Sequence, residues 1–267
     1  MRVVGSGFLS REGLHVAEKV EQDLQGVLTL LSRAIDLCHE GLAAIVVPSH
    51  QSLEAKQRVI ACVVMARVLE ISEAIVVLAR GGFSVEVTSA TRTFLEAYFI
   101  FANVCEDAGF VSKYFSTDLK TRQTLINQAA KHRGPPFDSI NAFATPDKRE
   151  GLKKWMEELE VEGLDTYKNA NNVGCAAIYD SLYRVTSAAT HSSPRALGGY
   201  VLEDPDGNVL EVRRYPQLGD IGSRVHDVGC FLLIVRDAFD VLFGNVPSQA
   251  MASLRKEFEV VAIPDIS

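Results

Sequence analysis

Apolar residues recur at intervals of three and four along most of this chain, the spacing of one face of an α-helix. Val20, Leu24, Val27, Leu31, Ile35 and Leu42 follow that rule, so a helix is predicted over about 14–46, ending before Pro48. Ser52 is placed to cap a second helix over about 52–78, and Gly81-Gly82 ends it. A third helix is expected over about 84–106 and, beyond Gly109, a fourth over about 111–132. Gly134-Pro135-Pro136 marks a loop, and the very charged stretch Asp147–Glu160 reads as a short, exposed helix. Asn169–Asn172 reads as a turn before a helix over about 173–190, and two more helices follow over about 221–243 and 248–260. The pattern changes only once. Tyr200-Val-Leu-Glu and Val209-Leu-Glu-Val-Arg-Arg flank Asp204-Pro205-Asp206-Gly207, a turn sequence that predicts a β-hairpin near 200–215. The expectation is a mainly α protein: one helical domain over 1–267, a multi-helix bundle with a single hairpin insertion.

Two helices carry polar stripes that the core does not need. On the 173–190 helix, Cys175, Ile178, Leu182, Val185 and Ala189 fall on one side at 100° per residue. Asp180, Tyr183, Arg184, Ser187 and His191 fall on the other, within roughly 100°. The 84–106 helix is apolar nearly all round, as a central bundle helix should be. Yet Ser89, Arg92, Glu96 and Asn103 lie along one line, with Arg92 and Glu96 four apart and able to pair. A buried ion pair contributes little net stability, because desolvation offsets most of its attraction. The pair therefore serves either to fix register between helices or to furnish a site facing the Tyr183/Arg184/His191 stripe.

Composition narrows the classes. The 267 residues are 47% hydrophobic and 23% charged, enough for a substantial core, and the formal net charge is -7. That balance supplies no global attraction for nucleic acid or an anionic membrane, though it leaves room for a local basic cleft. The five cysteines are scattered, with no C-x-x-C pair, which argues against a disulfide framework or a zinc site and for a reducing compartment. The opening residues hold too short an apolar run for a signal peptide. The most apolar stretch, Val59–Ala79, is interrupted by Arg67, Glu70 and Glu73, so no membrane span is expected. A cytoplasmic protein is the reading, with no cofactor and no metal.

Arg184 and His191 are the candidate catalytic residues. An imidazole can shuttle a proton while a guanidinium offsets the charge that builds on a phosphodiester under attack. Arg92, Glu96, Tyr183 and Ser187 are the candidate ligand-binding residues. The same residues also suit a solvated helix face and a helix end, where the dipole favours a histidine. Glu12-x-x-His15 is half of a di-iron motif without a second copy, and His226-Asp227 opens a later helix. Neither a phosphate-binding G-x-x-x-x-G-K-[ST] loop nor a G-x-S-x-G elbow occurs.

The combination of Arg92 and Glu96 on an apolar helix with a downstream Tyr183…His191-Ser192 resembles a bacterial family of mostly α-helical proteins of unknown function, over roughly 67–193. More distantly, Arg184 and His191, six residues apart in between, resemble the HEPN (higher eukaryotes and prokaryotes nucleotide-binding) superfamily. Many of its members are metal-independent ribonucleases that pair two Arg…His sites at a dimer interface. The residue after the arginine is usually polar there and is Val185 here. This resemblance implies a homodimer and an RNA or nucleotide-like ligand. The competing reading is a non-catalytic dimerisation or protein-interaction module that uses the hairpin edge. A metal-oxidase-like bundle would need paired inward carboxylates and histidines that the sequence lacks.

Overall fold

The structure is a computed structural model, and it describes residues 2–4, 7–46, 52–132, 134–135, 137–158, 161, 163–191, 193–214, 218–246 and 248–263. It is mainly α. Two long helices, α3 (Leu53–Arg80) and α4 (Ser84–Glu106), form a hairpin across the Gly81-Gly82 link. The Ser52 side chain accepts from the Ala55 amide at 3.1 Å, so the predicted cap is in place. Helix α2 (Gln25–Ala43) and α12 (Ile221–Phe243) pack on this pair and on each other. The core they share includes Leu31, Met65, Leu69, Phe94, Leu95, Phe99, Phe101, Leu232 and Phe239, all fully or almost fully buried.

Helix α4 is the central one. It touches α3, α12, α5 (Phe110–Ala129), α8 (Thr166–Asn172) and α10 (Arg184–Thr190). That is why its sequence is apolar nearly all round. Helix α13 (Gln249–Val260), capped by Ser248, lies on α2 and α12. Its Phe258 ring occupies the space above Gly229, where a Cβ would meet the ring at 2.3 Å.

Several predicted bounds are corrected. The 14–46 helix is two, α1 (Arg11–Asp23) and α2, divided at Leu24, whose ψ of 3° turns the axis. Gly26 lowers helix propensity beside the break. The 111–132 helix stops at Ala129, and a short α6 (Phe137–Phe143) precedes α7 (Pro146–Glu158), which buries no side chain. Asn169–Asn172, read as a turn, is the last part of α8, which Asp165 caps by accepting from the Lys168 amide at 2.8 Å.

After a single helical turn, α11 (Pro194–Leu197), the hairpin is present as β2 (Val201–Glu203) and β3 (Val209–Arg213), with a register irregularity between Leu202 and Glu203. The Gly207 amide donates to the Asp204 carbonyl at 3.0 Å, closing the turn. Tyr215, the predicted hairpin end, lies outside the described residues. A strand the periodicity did not predict, β1 (Arg2–Val4), pairs parallel to β3, so β3 is hydrogen-bonded on both sides. Among the described residues no helix is long and apolar enough to cross a membrane.

Candidate functional site

The 173–190 helix is not one regular rod. After α8 the chain turns at Gly174, whose φ of 69° lies in the left-handed region that glycine tolerates best. A short α9 (Ala176–Ile178) then passes into a wide π-helical turn over Tyr179–Tyr183 before α10 begins. A π turn inserts the equivalent of one extra residue into an α-helix. Every side chain after it therefore moves round the axis by about 100°. Of the expected apolar face, Cys175, Ile178 and Leu182 lie in or against the core and Ala189 is half-buried, but Val185, which follows the π turn, is turned outward. Tyr183 is 7% exposed and Thr186 fully buried, while Val185 is 39% exposed.

That rotation carries Tyr183 onto the polar line of α4. Its hydroxyl donates to Glu96 Oε1 at 2.8 Å and accepts from Arg92 Nη2 at 3.1 Å. Arg92 Nη2 also stands 3.2 Å from Glu96 Oε1, and the guanidinium carbon lies 5.2 Å from the Tyr183 ring centroid. The other terminal nitrogen, Nη1, is 3.5 Å from His191 Nε2. The two stripes thus meet. Their network runs from buried Tyr183 through Arg92, whose side chain is 20% exposed, to exposed His191. The Arg92 Nε is buried without a partner among the described residues.

Electrostatics keep Arg92 charged and Tyr183 protonated. Burial opposes the charge on Arg92, but the Tyr183 hydroxyl and the Glu96 carboxylate more than offset it, and the guanidinium pKa is raised. Burial also raises the Tyr183 pKa, with Arg92 pulling the other way and Glu96 adding to the rise. The phenol stays protonated and can donate to Glu96.

Other predicted site residues stand apart. Arg184 turns outward: its Nε lies 3.0 Å from Asp180 Oδ1, its side chain is 64% exposed, and it covers the Tyr179 ring at 5.4 Å. Ser187 is half-buried on α10 and is not part of the Arg92–Glu96–Tyr183–His191 network. Ser192 lies outside the described residues. His226 is on another face, its Nε2 3.0 Å from the Phe258 carbonyl. Among the described residues no group of three His, Cys, Asp or Glu side chains is placed to hold a metal ion.

Three further contacts support the cluster. Tyr179 stacks on Tyr183 with centroids 4.7 Å apart, and a spacing of four along a helix is the only signal for it. Asn103 Nδ2 donates to the Asn169 carbonyl at 2.8 Å, and Tyr98 Oη lies 3.6 Å from Cys175 Sγ. Both tie the α8–α10 segment to α4.

Fold and network together define a class: a mainly α protein with an Arg–Glu–Tyr–His cluster built between its central helix and a π-interrupted neighbour. A family model described as a family of unknown function (DUF5677) matches residues 58–209, more than half of the chain and all of that cluster. The chain belongs to that family. No curated protein and no solved structure matches it.

Proposed function

We propose that the cluster of Arg92, Glu96, Tyr183 and His191 binds a nucleotide-like phosphate and, on an RNA phosphodiester, catalyses metal-independent cleavage. The observation that carries this reading is the 3.5 Å approach of the Arg92 guanidinium to His191 Nε2 at the solvent end of the network. A phosphate entering there replaces a weak contact between two nitrogens with charge-assisted hydrogen bonds. Glu96 and Tyr183 hold Arg92 in place from behind, as a preorganised anion site requires. Arg92 therefore takes the role that sequence spacing gave to Arg184, which Asp180 holds on the outer face.

In the cleavage step His191 takes the proton of the ribose 2′-hydroxyl, and that oxygen forms a bond to phosphorus. The bond from phosphorus to the 5′-oxygen breaks, and the leaving oxygen takes a proton from water. A 2′,3′-cyclic phosphate and a 5′-hydroxyl result. Arg92 offsets the negative charge that grows on the phosphoryl oxygens. The HEPN resemblance was carried by Arg184, which stands outside this cluster, so the reading rests on the Arg92–His191 geometry. The net charge of -7 suits a short or single-nucleotide contact better than a long tract of RNA.

His191→Ala is the clean test, because an exposed side chain can be removed at a cost within about 1 kcal/mol. Cleavage of a short fluorescent RNA should fall by at least about a hundredfold, the usual loss for a general base. Equal cleavage by wild type and variant, or none by either, would remove the catalytic reading. Val209 and Leu210 are exposed on the hairpin and favour a second reading, a homodimer contact through that apolar surface. A hairpin-shortened variant of unchanged mass in sizing experiments would count against it.

A further inference from the structure

Away from this cluster, the apolar surface of α5 continues past the core into solvent. Phe115, Leu125 and Trp155 are each 54% exposed and Phe143 is 67% exposed. These side chains line two clefts, of about 450 and 940 Å³, which meet at Arg122 and Trp155. Together the clefts follow α5 from Val111 to Ile126, a rise of roughly 22 Å, or four turns of helix.

The rim has a sign. Among the described residues that line the two clefts, Lys56, Arg122 and Lys148 are basic, and the one carboxylate, Asp118, lies 2.6 Å from Arg122. Lys148 Nζ stands 3.8 Å from the Phe143 ring centroid, so a charge is held beside an aromatic floor. An excess of positive charge around an apolar trough contrasts with the acidic chain as a whole. Small-ligand sites bury most of their ligand, whereas this trough leaves its own aromatics more than half exposed. Tryptophan and arginine at its midpoint are the residue types that anchor protein interfaces.

We infer that this trough is the docking groove for an acidic amphipathic helix of a partner protein. Four turns of such a helix match the length of the groove. Apolar residues at i, i+3, i+4 and i+7 cover Phe115, Trp155 and Phe143, and flanking glutamates meet the basic rim. The inference stands independently of the phosphate site, with which the groove shares no residue.

Trp155 is the chain's one tryptophan, so its fluorescence reports on the groove alone. The full chain is titrated with a tryptophan-free helical peptide of about 18 residues, long enough to span the trough. One version has leucines on one face and glutamates on the other; a second carries lysines instead. The glutamate peptide should shift Trp155 emission to the blue and saturate near about 10 μM. The lysine peptide should bind at least about tenfold more weakly. Lys148→Glu should weaken the glutamate peptide several-fold, and Phe143→Asp should abolish its effect. Both positions are solvent-facing, and an unchanged melting temperature confirms that each variant is folded. No shift with the glutamate peptide overturns the inference, as do equal responses to the two peptides. Saturation by dodecanoate while the peptide fails would assign the trough to a small amphiphile. Loss of a dimer in Phe143→Asp, with no peptide response in wild type, would assign it to a second copy of the chain.

Discussion

Tyr183 joins two helices through one hydroxyl, which makes it the most informative single atom to remove. In Tyr183→Phe the ring still packs, but Glu96 and Arg92 lose a common partner. A cost of about 1 kcal/mol is expected, read as a lower denaturant midpoint at unchanged slope. A double-mutant cycle with Glu96→Gln should return a coupling energy of similar size, and independent effects would mean the bond is not made in solution. The thiols give a second check at this scale. Burial pushes Cys38 and Cys105 up to about 12, so at pH 8 almost none of either is thiolate. Native protein should label slowly at both positions with a thiol reagent, and unfolding should expose all five. Fast native labelling of Cys38 would contradict its placement between α2 and α12.

The π turn is the element on which the site depends. It acts as a one-residue insertion, so deleting exposed Ser181 should restore α geometry while Cys175 and Tyr183 still face α4. That variant is expected to fold with stability within about 1 kcal/mol of wild type. Unfolded product would mean that the turn is required for the helix itself. Gly229→Ala tests the α12–α13 contact. A methyl there collides with the Phe258 ring, and a loss of about 1–3 kcal/mol is expected in thermal melts. An unchanged melting temperature would mean that α13 is loosely docked. Helix α12 was readable in extent because its apolar period is unbroken and Gly244 closes it in the left-handed conformation, although His226-Asp227, read as its opening, lies in its second turn. The π turn was not, since its residues keep α-like spacing and the extra residue shows only through packing on α4. Strand β1 has three residues, and its partner β3 is about two hundred positions away, so nothing local could reveal it. On the site, the line of Arg92 and Glu96 was legible from its oddness on an apolar helix. The outward aim of Arg184 was hidden by the same phase shift that brought Tyr183 inward.

Over the whole molecule, α2, α3, α4 and α12 share one core, and the α8–α10 segment is tied to it by Asn103, Tyr98 and Tyr183. One cooperative unfolding transition is therefore expected in calorimetry. A separate early transition that Trp155 fluorescence follows would mark α5–α7 as an independent unit. On the two proposals above, a negative partner meets the acidic chain at the Arg92–His191 cluster and at the basic trough along α5. The central claim concerns the first, and side-chain NMR of His191 tests it most directly. The imidazole signals are assigned with His191→Gln, and a 5′-nucleotide is titrated in. The account predicts that the His191 signals move and saturate, and that Arg92→Lys weakens the response at least about tenfold, since lysine cannot reproduce the bidentate guanidinium. His191 signals that stay fixed at saturating nucleotide would contradict it.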